Sequence, residues 1–348
     1  MKPRPRLAWI RYGGPLPEEQ IATAAGRYRA VILQPWETRF AEQLKAHNSD
    51  MTVLAYQCLS SIRTYEPGPV YSSGLPPATA RDLDTCARRL DGSLIEWARY
   101  PGHLQQRVWE PRYREAWVES VVSNFRDSPF DGVMADNDVF DDYYGLCPPL
   151  EDGVGLPEIR SALDQLVSAA GRALNDVGKV LVPNIAESRR EEGRWRRHSR
   201  HGGGLEECWM AWGTSDVERL DLPAVLAQVE SLNAPGLTIA RTPGTGYPGD
   251  PHLTLALAAA WVFAPTSDIA VTATSHDGYD AAPWTELVEL DLGEPAPEGV
   301  IQLGKGVYGR RLSRGHAVIN LCPDRVHLEP RWGGVVLDPW RGIVCSDH

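Results

Sequence analysis

Two short acidic segments hold the side chains best suited to do chemistry. Asp131-Gly-Val-Met-Ala-Asp-Asn-Asp138 delivers Asp136 and Asp138 at the end of an apolar run, and Gly204-Leu-Glu-Glu-Cys-Trp209 delivers Glu206 and Glu207 at the end of a comparable one. Carboxylates brought from two strand ends are what glycosidic-bond cleavage needs, one serving as nucleophile or base and the other as proton donor. Asp136 leads for the first role, because the Gly132 to Ala135 run fixes it at a strand terminus. A structural ion pair with Arg241, or a loop cap, is the competing use of that carboxylate. Glu207 is the preferred proton donor and Glu206 its alternative, since one step of register reverses which side chain faces the opening. A donor needs a raised pKa, which burial and a nearby anionic Asp136 would supply. Asp131 reads as a turn or cap before its strand, and Asp138 as a loop anchor or a hydroxyl partner.

These residues require a scaffold that gathers strand ends, and the first two thirds of the chain alternates strand with helix. Strands are expected at Leu7 to Tyr12, Ala30 to Leu33, Met51 to Tyr56, Gly132 to Ala135, Val180 to Val182, Gly204 onward, Leu237 to Ala240 and Ile269 to Ala273, the first stopped by Gly13-Gly14-Pro15. Helical spacing recurs at Phe40 to His47, Pro77 to Leu90, Arg112 to Phe125, from Pro157, and at Leu222 to Leu232 and Leu253 to Phe263. Eight nearly continuous apolar strands separated by helices predict an α/β fold, a (β/α)8 TIM barrel over residues 1–284. A doubly wound sheet is the alternative, but no Gly-x-Gly-x-x-Gly follows an early strand, and Gly202-Gly-Gly204 precedes one. After Trp284 the pattern becomes short strands between turns: Val288 to Leu292, Gly299 to Leu303, Val307-Tyr308, His316 to Asn320, Gly334 to Leu337 and Gly342 to Val344. A small C-terminal antiparallel β module over residues 285–348 is expected, with Asn320 and Asp338 as turn residues.

A parallel barrel converges its strand ends on one opening. The set predicted there is Tyr12, Gln34, Trp36, Glu37, Tyr56, Gln57, Asn137, Asp138, Asn184, Trp209 and Arg241, with Thr242 beside the last. His103 joins it from the long excursion between residues 59 and 111, which is expected to overhang the opening. Amides, carboxylates and aromatics together suit a saccharide, whose hydroxyls need polar partners and whose C–H faces pack on rings. Of the 12 Trp residues, Trp36, Trp97, Trp109, Trp209 and Trp212 fall near predicted top loops, with core packing equally weighted for each. Trp9, Trp117 and Trp261 read as core.

A net charge of −11 argues against a broad nucleic-acid surface. The run containing Arg189, Arg190, Arg194, Arg196, Arg197 and Arg200 is interleaved with Glu187, Glu191 and Glu192 and reads as a solvated helix or loop. No stretch has the length and apolarity of a membrane span or of a secretory leader, so a cytoplasmic protein is expected. The six cysteines are dispersed and read mostly as free thiols, with Cys322 to Cys345 a candidate bridge. No zinc-ligand spacing and no cofactor cradle are present, so neither metal nor cofactor is predicted.

Ile32-Leu-Gln-Pro-Trp-Glu37, Val53-Leu-Ala-Tyr-Gln-Cys-Leu-Ser-Ser61, Tyr100-Pro-Gly-His103, Asp131 to Asp138 and Val182-Pro-Asn-Ile-Ala-Glu187 resemble segments of glycoside-hydrolase-like family 15, a bacterial barrel family. More distantly the layout is similar to clan D α-galactosidases and polygalactosaminidase-like barrels. That resemblance implies a nucleophile at strand four, here Asp136, and an acid/base at strand six, here Glu206 or Glu207. The adjacent glutamate pair departs from the single donor of that pattern.

The function expected is therefore O-glycoside hydrolysis on an oligosaccharide or glycoside. Carboxyl groups about 5 to 5.5 Å apart would retain configuration and about 6.5 to 9.5 Å would invert it. Two alternatives stand beside it. One is metal-assisted hydrolysis or lyase chemistry with Asp136, Asp138 and Glu207 around a hard cation; the other is a saccharide-binding barrel without catalysis. Oligomeric state is not legible in the sequence.

Overall fold

The computed structural model describes residues 4–12, 16–213, 217–275, 279 and 281–347. The glycine and proline stop expected at residues 13–15 lies outside them. Eight parallel strands close into a barrel: β1 (Arg6–Arg11), β2 (Tyr28–Leu33), β3 (Thr52–Cys58), β4 (Gly132–Asp138), β5 (Val180–Ile185), β6 (Gly203–Glu206), β7 (Leu237–Pro243) and β8 (Ile269–Thr274). Neighbours follow chain order around the circuit, and β1 pairs with β8. Helices α1 (Ile21–Arg27), α2 (Thr38–His47), α3 (Pro77–Asp82), α4 (Pro111–Phe125), α5 (Leu156–Asp176), α6 (Arg194–Ser199), α7 (Leu222–Leu232) and α8 (Pro251–Phe263) alternate with the strands. No helix among the described residues is long and apolar enough to cross a membrane. The chain divides into two compact units, one of Pro17–Ala25 and Ile32–Leu205, the other of Met1–Leu16, Gly26–Val31 and Glu206–His348.

In the first unit, sequence periodicity explains the packing directly. Tyr113, Trp117, Val121 and Phe125 recur every four residues along α4 and are all buried. The Trp117 indole donates to the Cys58 carbonyl at 2.9 Å and the Tyr113 hydroxyl to that of Leu59 at 2.8 Å, which ties the helix to the end of β3. Asp131 does more than cap its strand. Its carboxylate accepts from Lys45 Nζ at 3.0 Å and from the Val53 amide at 2.8 Å, joining α2, β3 and the start of β4.

The helix expected to run to Leu90 ends at Asp82. Asp84 takes a left-handed φ of 47°, and the Thr85 amide and hydroxyl both return to the Ala80 carbonyl. Beyond it, bridges from Cys86 to Gln106 and from Arg88 to Leu94 make this part of the excursion extended and paired. A two-stranded ribbon, Ser61–Arg63 against His103–Gln105, continues that pairing.

In the second unit α8 is buried on every side, as a helix apolar all round must be. Strands β7 and β8 pack on it, as does a four-stranded antiparallel sheet of β9 (Pro295–Gly304), β10 (Val307–Leu312), β11 (Gly315–Asn320) and β12 (Arg341–Ser346). Gly342 permits the close approach, since a Cβ there would lie 2.7 Å from that of Ala258. Two expectations for this region are corrected. Glu286–Glu289 is a 3-10 turn rather than a strand over Val288 to Leu292, because Thr285 caps it and Val288 alone in the turn is buried. Cys322 and Cys345 are free thiols, and the Cys322 sulfur lies against the Lys305 carbonyl instead. Asn320 is buried at the end of β11, where its amide donates to the carbonyls of Asp324, Leu337 and Asp338 and so organises the turns around it.

Candidate active site

Asp136 occupies a break in the β4 ladder. Ala135 pairs with Pro183 and Asp138 with Ile185, so Asp136 and Asn137 together face the single residue Asn184. Such a bulge re-aims side chains. Asn137 absorbs the extra length in a left-handed conformation, φ 67°. A one-residue slip also reverses the facing of the residues after it, so Asp136 and Asp138 do not share a side of the strand.

The Asp136 carboxylate is half-buried and meets a ring of donors. Tyr56 donates its hydroxyl proton to Oδ2 at 2.7 Å, Asn184 Nδ2 donates to Oδ1 at 3.0 Å, and the Asn137 amide donates to Oδ1 at 2.9 Å. Hydrogen bonds of this type stabilise a negative oxygen and fix its direction. Behind Tyr56 stands Arg63, whose guanidinium lies 4.9 Å from the Tyr56 ring centroid and donates to the hydroxyl at 2.8 Å. Burial opposes the Arg63 charge, yet Tyr56, Cys58, Tyr65 and Glu66 hold its pKa above the ordinary arginine value. Glu66 accepts from Arg63 at 3.3 Å and from the Ser72 amide at 2.8 Å, which anchors the arginine in turn.

Asn137 extends the group outward. Its Nδ2 donates to Cys58 Sγ at 3.1 Å, and its Oδ1 accepts the Tyr144 hydroxyl. Tyr144 stacks on Trp97 with ring centroids 3.8 Å apart, and Trp97 lies beside His103 at 5.6 Å. His103 is buried, with Tyr65 at 3.0 Å on Nε2 and Ser61 at 3.4 Å on Nδ1. Burial first, and the Arg63 charge second, push its pKa down to about 4, so at neutral pH it carries no charge.

Three more predicted residues form a separate local turn. The Gln34 amide donates to Glu37 Oε2 at 2.8 Å, and Trp36 between them is 49% exposed. Gln57 is buried beneath this end of β3 and spends its amide on the Tyr71 carbonyl at 3.1 Å. Asp138 is the main displaced member. It is fully buried against α6, accepting from Arg194 at 2.9 Å and contacting His198, which leaves loop anchoring as the role its partners fit. The basic run is correspondingly not all solvated, since Arg194, Trp195 and His198 are its buried side.

The second unit carries the glutamates. Glu206 ends β6 and is buried, with Oε1 accepting from the Cys208 amide at 3.2 Å. Glu207 is half-buried, and Tyr279 donates to its Oε1 at 3.0 Å. Burial pushes the Tyr279 hydroxyl pKa well up, with Tyr12 and Glu207 adding to it, so this group stays a donor. Tyr12 packs on Tyr279 at 4.4 Å between centroids. Arg241 is wholly buried and holds backbone: its guanidinium donates to the Glu207 carbonyl at 3.3 Å and to the Thr274 carbonyl at 2.7 Å. Trp209, predicted to face a ligand, has no exposed surface and is a core residue; Trp212, at 43%, is the exposed one.

Arg63, Tyr144 and Tyr279 are not legible as site residues in the sequence. Arg63 lies inside the excursion, Tyr144 in an Asp-Asp-Tyr-Tyr run without periodicity, and Tyr279 in the segment after the eighth strand. A tyrosine or arginine following a strand end within a few residues is the available signal. Among the described residues no group of three or more His, Cys, Asp or Glu side chains is placed to hold a metal.

The architecture recurs in solved carbohydrate-active proteins. The Aspergillus fumigatus Ega3 structure in complex with galactosamine aligns with a TM-score of 0.50 at 11% identity, covering 81% of this chain and 94% of that one. The cycloalternan-forming enzyme from Listeria monocytogenes, in complex with a pentasaccharide substrate, aligns with a TM-score of 0.52 at 10% identity, and this chain, covered over 99% of its length, spans 40% of that one. At these identities the likeness is one of fold. No curated protein sequence matches the chain. The model of the hypothetical glycosyl hydrolase family 15 matches residues 45–316, more than half of the chain, and the protein belongs to that family.

Proposed function

We propose that the protein is an O-glycoside hydrolase in which Asp136 is the reacting carboxylate and Glu207 the proton donor. The observation that carries this reading is the donor ring on Asp136: Tyr56, Asn184 and the Asn137 amide aim a charged carboxylate from a strand end. That suits attack on an anomeric carbon, where the nucleophile must be ionised and fixed. Glu207 takes precedence over Glu206 on access: it is partly open to solvent, as a group that must reach a departing oxygen has to be, whereas Glu206 is buried with Oε1 on the Cys208 amide. In the first step Asp136 forms the bond to the anomeric carbon while Glu207 gives its proton to the departing oxygen. Water then displaces Asp136, with Glu207 taking the water's proton. The ligand is an oligosaccharide or glycoside, and exposed Trp36 and Trp212 offer ring faces for it.

The metal-assisted reading loses support from Asp138, whose carboxylate is engaged by Arg194 and His198. Asp136→Asn tests the proposal. It keeps an oxygen for Asn184 and the Asn137 amide and turns an NH2 toward the Tyr56 oxygen, which can accept. The fold should therefore be retained, as thermal unfolding will check, while cleavage across a panel of glycans and aryl glycosides disappears. A panel cleaved equally by the wild type and this variant would remove Asp136 from the mechanism.

A further inference from the structure

Asp138 has a use that the cleavage chemistry does not absorb. Its two oxygens face different cations of α6: Oδ1 accepts from Arg194 Nη2 at 2.9 Å, and Oδ2 contacts His198 Nδ1. The opposite nitrogen, His198 Nε2, lies 2.6 Å from Asp164 on α5, and Arg194 reaches the same carboxylate at 3.5 Å. Arg194 also donates to the Asp138 and Ala186 carbonyls, both at 3.2 Å, and these belong to the strand end and to the loop beyond β5. Asp138, Arg194 and His198 are each within 2% of complete burial. Two residues upstream is Asp136, and between them is the left-handed Asn137.

We propose that His198 is a positioning residue: together with Arg194 it pins Asp138 against α6, and this pin fixes the Asn137 bulge that turns Asp136 toward Tyr56 and Asn184. The proposal rests on Asp136 being the reacting carboxylate. A left-handed asparagine in a strand is held only where its surroundings over-determine it, and a buried carboxylate with two cationic partners is strongly anchored. Without the pin, β4 is free to pair in regular register, which would rotate Asp136 away from its donors.

The charge state supports the same geometry. Burial alone would discharge His198, but Asp138 and then Asp164 hold its pKa up to about 9 against burial and against Arg194. Asp164 is correspondingly lowered, its burial outweighed by His198 and by Arg194 and Arg197. The imidazolium also borders a surface groove of about 810 Å³ between α4, α5 and α6, where Arg114, Glu115, Glu119, Arg172, Arg197 and Arg200 are the other charged groups. With both ring nitrogens facing carboxylates, the doubly protonated ring donates on both sides; loss of one proton leaves one carboxylate facing a lone pair.

Crystal structures of His198→Gln and Asp138→Asn test the pin without any substrate. Both are expected to lose the left-handed Asn137 and to open the 3.0 Å contact between Asn184 and Asp136. If Asp138→Asn does not fold, His198→Gln decides alone, because Arg194 still balances Asp138 in it. A His198→Gln structure that retains the bulge and that contact overturns the proposal. On any glycoside the wild type cleaves, His198→Gln should lower kcat about 10- to 100-fold with KM within about twofold, the scale of a misplaced reacting group. Wild-type activity is expected to fall as pH rises through about 9, where His198 gives up its second proton, and His198→Gln to lack that fall. Unchanged kcat and an unchanged alkaline limb would equally overturn it. The outcome separates from that of the functional reading: an active Asp136→Asn removes the reading and leaves the pin intact, whereas an inactive Asp136→Asn with an unaltered His198→Gln removes only the pin.

Discussion

Tyr56 gives its hydroxyl proton to Asp136 across 2.7 Å while accepting one from Arg63 at 2.8 Å. Since the oxygen has one proton and arginine can only donate, the direction of both bonds is settled. The positive charge of Arg63 thus reaches Asp136 through a polarised hydroxyl. The three residues come from the end of β3, the ribbon that follows it, and the bulge in β4, so the relation depends on the barrel and the excursion together.

Removing either link should therefore weaken the site by a shared amount. A hydrogen bond to a charged group contributes roughly 1.5 to 3 kcal/mol, so Tyr56→Phe is expected to lower kcat/KM on a cleaved glycoside about 10- to 100-fold. Arg63→Met should cause a loss of similar size. Both act through one hydroxyl, so the double variant should lose markedly less than the product of the two. Simple multiplication of the two losses in kinetic assays would mean that Arg63 does not act through Tyr56.

Two histidines tie stability to pH in opposite senses. His198 has its folded pKa raised to about 9, so its contribution is full below the unfolded value of about 6.5 and is lost as pH rises through 9. His103 has its folded pKa lowered to about 4; the folded state disfavours its proton, so stability is full above about 6.5 and declines as pH falls toward 4. Melting temperature followed from pH 4 to pH 10 should thus fall at both ends. His198→Gln should flatten the alkaline side only, and His103→Gln the acid side only. A His198→Gln profile parallel to the wild type above pH 8 would contradict the assignment.

Gly132 is the residue on which the start of β4 depends. An added Cβ would lie 2.1 Å from the Val180 carbonyl oxygen, which is backbone in the neighbouring strand and cannot rotate aside. Overpacking of a well-packed interior costs about 1 to 3 kcal/mol and more where the neighbour is rigid. Gly132→Ala should lower the denaturation midpoint by at least that amount, or prevent soluble expression. A melting temperature within about 2 °C of the wild type would mean that β4 and β5 separate at little cost.

The barrel is readable in the sequence because each buried parallel strand is a short apolar run closed by polar residues, and the strand end at Asp136 emerges from that pattern. The bulge is not readable. It depends on Asp138 meeting Arg194 and His198 some sixty residues later, a long-range pairing that leaves no mark on local periodicity. For the same reason Arg194 reads as one charge in a solvated run. Trp209 lies only a few residues past a strand end, which suggests the opening, while its backbone amide donates to the Arg241 carbonyl of β7 and its ring is fully buried. The alternation in Val288-Glu-Leu-Asp-Leu292 has the period of a strand, but the segment has no partner in the four-stranded sheet and closes into a 3-10 turn.

The two glutamates can be told apart by leaving-group chemistry. A proton donor matters most when the departing oxygen is a poor leaving group and little when it is an activated phenol, because general acid catalysis supplies the proton that a good leaving group does not need. Glu207→Gln should therefore lose about 100-fold or more in kcat/KM on an unactivated glycoside, within the range general acid catalysis contributes, yet retain most of its kcat/KM on a dinitrophenyl glycoside, whose kcat falls because the water step has lost its base. Glu206→Gln, altering a buried carboxylate that accepts from the Cys208 amide, should lower both rates together and reduce thermal stability. Tyr279→Phe frees Glu207 from its 3.0 Å tether and should reproduce the Glu207→Gln pattern in weaker form. If the leaving-group dependence appears in Glu206→Gln and not in Glu207→Gln, the donor role passes to the buried neighbour, and Tyr279 becomes a support for the loop beyond β6.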